Sequence, residues 1–87
     1  MAIIIHTVEK DYTMSAHAVV EMKDENVTIA EITDTINDPD YYGLSKTSAN
    51  HVYDKALGGK RGLRVVVNEA DAIIVTVHSI LPPTREG

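Results

Sequence analysis

Arg64, Thr76 and His78 are the residues whose types and spacing could do chemistry together. Leu63 to Val67 and Ala72 to His78 are rich in β-branched residues, and Asn68-Glu69-Ala70-Asp71 between them supplies turn chemistry, so the stretch reads as an antiparallel hairpin. A three-residue loop, Glu69 to Asp71, sets Val67 opposite Ile73, Val65 opposite Val75 and Leu63 opposite Val77. Arg64, Val66, Ile74, Thr76 and His78 then share the other face. A guanidinium, a hydroxyl and an imidazole within cross-strand reach can hold an anion and move a proton. The plainer reading is the solvated side of a two-faced sheet. A second imidazole, His17, falls in the first turn of an expected helix, where the dipole favours anions nearby.

The elements that must position these groups follow from local signals. Met1 to His6 looks like a short strand, and Thr7 to Thr13 like a loop. Ser15 is an N-cap for a helix running to about Lys23, with Ala16, Val19, Val20 and Met22 as apolar contacts. Thr28-Ile29-Ala30-Glu31 is a capping box, with Val27 and Ile32 spaced as a hydrophobic staple. That second helix runs to about Asn37, buries a stripe of Ile29, Ile32 and Ile36, and stops at Asp38-Pro39-Asp40. The segment from Tyr41 to Asn50 is a connection with room for an edge strand. His51 to Lys55 alternates as a strand, and Gly58 to Gly62 is a turn. The expected fold is α+β: two short N-terminal helices packed on one face of a three- to four-stranded antiparallel sheet. Residues 1–87 form a single domain, ordered over about 2–81, with a frayed tail from Pro82 onward.

Composition narrows the function classes. With no Cys there is no disulfide framework or thiolate zinc site, and His6 and His51 lack ligand spacing, so neither a metal nor any other cofactor is expected. The amino-terminal apolar run is too short for a membrane span and lacks the basic flank of a signal peptide, which points to a soluble, cytoplasmic protein. A net charge of -5 argues against nonspecific nucleic-acid binding by the whole surface. The charge is unevenly spread: residues 1–43 carry nine acids and two bases, whereas 44–64 carry Lys46, Lys55, Lys60, Arg61 and Arg64 against Asp54.

The order of motifs resembles a known group. Ser15-Ala16-His17-Ala18-Val19-Val20-Glu21-Met22, a capped helix ending in Asn-Asp-Pro, Tyr53-Asp54-Lys55, a Gly-Lys-Arg turn, a Val-Val-Val strand and Ile-Val-Thr-Val-His follow one another. Over roughly Thr13 to Ile80 this is similar to small RelE/ParE-like bacterial proteins of the barnase, EndoU, colicin and RelE ribonuclease-toxin group, and to an uncharacterised family within it. The chain departs from that pattern at Lys23-Asp24-Glu25-Asn26-Val27, where relatives carry an arginine after the methionine and an Arg-Gly-Ile. The resemblance implies metal-independent RNA cleavage by attack of a 2′-hydroxyl on the adjacent phosphate, and an inhibitory protein partner. It makes His17 or His78 the base or acid, Arg64 a phosphate clamp and Thr76 a donor. Lys55, Tyr53, Lys60 and Arg61 would contact the substrate, Tyr53 by stacking on a base; Lys60 and Arg61 also read as a plain charged loop. The competing reading is a non-catalytic acidic binding module, engaging a basic protein through Glu21, Asp24 and Glu25 or pairing an edge strand with a partner. Self-association is left open by both.

Overall fold

The structure, a computed structural model, describes residues 2–45 and 49–83. Lys46 and the tail from Thr84 onward lie outside the described residues. Among the described residues eight elements follow in order: β1 (Ile4–His6), β2 (Asp11–Met14), α1 (Ala16–Asp24), α2 (Ile29–Asn37), β3 (Tyr41–Leu44), β4 (His51–Gly58), β5 (Arg61–Asn68) and β6 (Ile73–Ile80). The strands form one six-stranded sheet in the order β1-β2-β6-β5-β4-β3. All neighbours are antiparallel except β2 and β6, which run parallel.

The α+β class expected from the sequence is what the chain adopts, but the sheet is larger and mixed. Asp11 to Thr13, expected as part of a loop, belong to a strand that buries Tyr12 and Met14. Two alternating residues are too short a pattern to stand out, and the parallel partner lies some sixty residues away. β3 is the edge strand for which the Tyr41 to Asn50 segment left room.

Both helices begin where the sequence places them. The Ser15 side chain accepts from the Ala18 amide, and Thr28 and Glu31 close a reciprocal capping box at 3.1 and 2.9 Å. Val27 and Ile32 are both buried, as a staple requires. The buried side of α2 is Ile32, Thr35 and Ile36, while Ile29 is half exposed; in α1, Ala18 and Met22 are buried and Val20 is exposed. Glu31 has a second task, since its other oxygen receives Arg61 Nη1 at 3.1 Å and ties the start of β5 to the start of α2. Thr28→Ala breaks half of the box and is expected to destabilise the chain by about 1 kcal/mol, read as a shift of the urea midpoint at unchanged slope.

The core lies between the helices and one sheet face, where Ile5, Leu63, Val65, Val67, Ile74 and Val77 are fully buried with Ile32. On β5 the inward set is the expected one. On β6 it differs: Val67 pairs with Ile74 and Val65 with Val77, with an irregularity that leaves Val75 as the extra residue. The loop spans Glu69 to Ala72, with Ala72 at φ 54 and the Asp71 amide bonded to Asn68 Oδ1. A four-residue loop therefore replaces the expected three, and Ile74 rather than Ile73 turns inward.

β6 shares only two residue pairs with β2 before the chain turns into α1, and the helix side chains then satisfy the strand's open edge. The Ser15 amide donates to the Ile74 carbonyl and its hydroxyl to the Val75 carbonyl. The Val77 amide donates to Glu21 Oε1 at 3.2 Å. Unpaired backbone groups on a strand edge are costly when buried, so this arrangement sets the height of α1 along β6.

Candidate functional site

Glu21 is the centre of the cluster that α1 and β6 bring together. His17 lies one turn earlier on α1, and its Nε2 is 3.1 Å from Glu21 Oε1. His78 reaches from β6, with Nδ1 3.3 Å from Glu21 Oε2. The Thr76 hydroxyl donates to Glu21 Oε1 and lies 3.4 Å from His78 Nε2. The carboxylate is 19% exposed, whereas His17 is 70% and His78 45% exposed. The arrangement is thus a shielded anion carrying two solvent-facing imidazoles. Burial alone would raise the carboxyl pKa of Glu21, but the Thr76 hydroxyl, the Val77 amide and the two histidines outweigh it and hold the group below its ordinary range. His78 can donate from both ring nitrogens, to Glu21 and to the Thr76 oxygen, in its imidazolium form.

Three of the four expected catalytic residues, His17, Thr76 and His78, therefore meet at one edge. Glu21 was expected only as part of an acidic docking surface. Its side chain is instead taken up by the cluster, so it does not stand with Asp24 and Glu25 as a free surface charge. The signal that would have found it is the i, i+4 spacing from His17, which puts both on one side of a helix.

Arg64 pairs with His78 across β5 and β6 and so lies on the same sheet face. It is not a free phosphate clamp. Its Nε and Nη2 donate to the two oxygens of Asp54 at 2.9 and 2.8 Å, and that carboxylate is only 5% exposed. The hydrogen bond with Asp54 raises the guanidinium pKa further. The two-pronged edge that would grip a phosphate is occupied within the fold.

The expected substrate-binding residues are on the far side of the sheet or at its end. Lys55 pairs with buried Leu63 and Tyr53 with buried Val65, so both point toward the helices. Lys55 Nζ bonds the Asp38 carbonyl at 2.8 Å and its carboxylate at 3.3 Å. Arg61 is engaged by Glu31 and the Asn26 carbonyl, and Lys60 is exposed at the β4–β5 turn. None of the four contacts the His17–Glu21–His78 cluster, because strand alternation sends them to the other face or ties them to α2.

Tyr53 belongs to a second feature, a pocket of about 420 Å³ among the β1–β2 loop, the end of α2, and strands β2, β3 and β4. At its floor Glu69 accepts from the Tyr12 hydroxyl at 2.6 Å, from Tyr53 at 3.1 Å and from Lys10 at 3.0 Å. Burial and Glu69 push the Tyr12 hydroxyl far above its ordinary pKa, and Tyr53 is pushed up to about 12, chiefly by burial. For Glu69, burial alone would raise the pKa, but the donated bonds from Tyr12, Lys10 and Tyr53 win and lower it. A carboxyl depressed in the folded state adds stability above its unfolded pKa, about 4.3, and that stability is lost as pH falls through the folded value. Thermal melts should therefore show Tm declining below about pH 4.3, with a shallower decline in Glu69→Gln.

Among the described residues, no three His, Asp or Glu side chains are grouped to hold a metal ion, and no helix is long and apolar enough to cross a membrane. Comparison with protein-family models, with curated proteins and with solved structures finds no match to the chain.

Proposed function

We propose that this chain is a ribonuclease-toxin-like domain that cleaves RNA without a metal, using His17 and His78 as an acid–base pair. The observation that carries the reading is the pair of exposed imidazoles held on the two oxygens of one shielded carboxylate. Cleavage by internal transfer needs one group to accept a proton and one to deliver it, at the same phosphodiester. Glu21 supplies the third requirement of such a pair, since a carboxylate bonded to one ring nitrogen fixes the ring's orientation and the tautomer at the other.

In this reading His17, whose Nε2 faces Glu21, takes the ribose 2′-hydroxyl proton on Nδ1. The 2′-oxygen attacks phosphorus, and the bond from phosphorus to the 5′-oxygen breaks. His78 delivers its Nε2 proton to that leaving oxygen, so the products are a cyclic phosphate and a 5′-hydroxyl. Thr76, already donating to Glu21, steadies the carboxylate and the edge of the His78 ring. Arg64, neutralised by Asp54, lends the neighbouring sheet face less positive charge than a free arginine would. An inhibitory protein, if it acts on this site, would cover the α1–β6 edge.

The test is cleavage of a fluorescently labelled RNA by the purified chain in EDTA, with product ends identified by mass. A cyclic phosphate end is expected, with no cutting of the same strand carrying 2′-deoxyribose throughout. Intact RNA at high protein concentration, or activity that survives in a folded His17→Ala, His78→Ala double variant, removes the proposal.

A further inference from the structure

The tyrosine pocket shares no residue with the imidazole cluster, and its chemistry is of another kind. Its walls are aromatic: Tyr42 and Tyr53 have ring centroids 4.9 Å apart at an interplanar angle of 57°, with Tyr12 beneath and Pro39 beside them. Among the described residues its acids are Glu69 at the floor and exposed Glu9 at the rim, and no Lys or Arg lines it. The Tyr12 and Tyr53 hydroxyl protons both point at Glu69. What faces an occupant is therefore ring surface and oxygen lone pairs, which repel phosphate and attract cations. One cation already uses this surface from outside: Lys10 Nζ sits 5.3 Å from the Tyr12 ring centroid while bonded to Glu69.

We infer that this pocket receives an arginine side chain from a basic segment of a partner protein. The volume has room for an arginine side chain but not for a folded surface. A planar, weakly hydrated guanidinium stacks on tyrosine faces better than an ammonium does. Charge complementarity points the same way, because the chain carries a net charge of -5 and residues 1–43 hold nine acids against two bases. Since Lys10 neutralises Glu69, the steering charge is Glu9, and the selectivity comes from the rings. The inference does not depend on the nuclease reading.

The test is an amide-resolved NMR titration of the full chain with a blocked Gly-Arg-Gly peptide, run beside the same peptide carrying citrulline, which keeps the shape and removes the charge. Shifts confined to the surroundings of Tyr12, Asn37, Tyr42, Tyr53 and Glu69 are expected with arginine at millimolar concentration, and none with citrulline. Tyr42→Leu and Glu9→Gln, both at exposed or half-exposed positions, should each weaken binding by roughly 2- to 30-fold. Equal responses to the two peptides, shifts centred elsewhere, or no shift at all would each overturn the inference, whether or not RNA is cut.

Discussion

His17→Ala and His78→Ala chains are each expected to cut RNA about 10²- to 10⁴-fold more slowly than the natural sequence, and to lose opposite limbs of its pH profile. A base must be neutral to accept a proton, so losing His17 should flatten the acidic limb; an acid must be protonated to deliver one, so losing His78 should flatten the alkaline limb. Neither substitution should unfold the chain, because both rings are largely outside the core and the buried contacts of α1 run through Ala18 and Met22. Glu21→Gln separates chemistry from architecture more finely. Its amide oxygen can still accept from the Val77 amide and preserve the junction of α1 with β6, while the charge between the imidazoles is gone. The rate should fall with the melting temperature much less affected. A glutamine variant as active as the natural chain would show that the carboxylate only fastens the helix to the strand. Variants at Lys55 and Arg61 should leave RNA cleavage unchanged, since both are committed to groups on the helix side of the sheet.

The difference between what could be read from the sequence and what could not follows the range of the interactions. Ser15 and Thr28 were legible because a cap is settled within three or four residues of chain. The inward face of β5 was legible for a related reason: Leu63, Val65 and Val67 alternate strictly, and only one face of such a strand can be buried. β2 was not, since its stability comes from a parallel neighbour and from Ile5 on β1 rather than from its own four residues. The commitment of Arg64 to Asp54 was equally hidden. It depends on the register of β4 against β5, and a one-residue slip would have turned Asp54 to the other face. His17, Thr76 and His78 stand out by type and by a family resemblance, whereas the group that gathers them does not. Glu21 reads as one acid among many on an acidic helix until β6 is laid beside it.

The largest stability effect is expected where the sequence reading and the structure part company, at the irregularity in β6. Ile74→Ala should destabilise the chain by about 2–5 kcal/mol, and Ile73→Ala by clearly less. Ile74 is fully buried, faces Val67 across the sheet, and its carbonyl receives the Ser15 amide at 3.0 Å. Truncating it leaves a cavity under both β5 and the start of α1, in a domain small enough that 2 kcal/mol is a large share of a typical total of about 5–15 kcal/mol. Ile73 is only partly buried and faces the side away from the helices, so its loss removes less contact and opens no enclosed space. The same comparison applies further along the strand, with Val77→Ala costing more than Val75→Ala. Urea unfolding at unchanged slope measures all four; by melting temperature, Ile74→Ala should drop more than about 8 °C. The contrast bears on the chemistry as well. With Ile74 turned inward, strict alternation without the extra residue at Val75 would turn Thr76 and His78 to the core side too, away from where they meet Glu21. If Ile73→Ala proved as damaging as Ile74→Ala, the hairpin would have the three-residue loop after all, with Ile73 rather than Ile74 set against Val67.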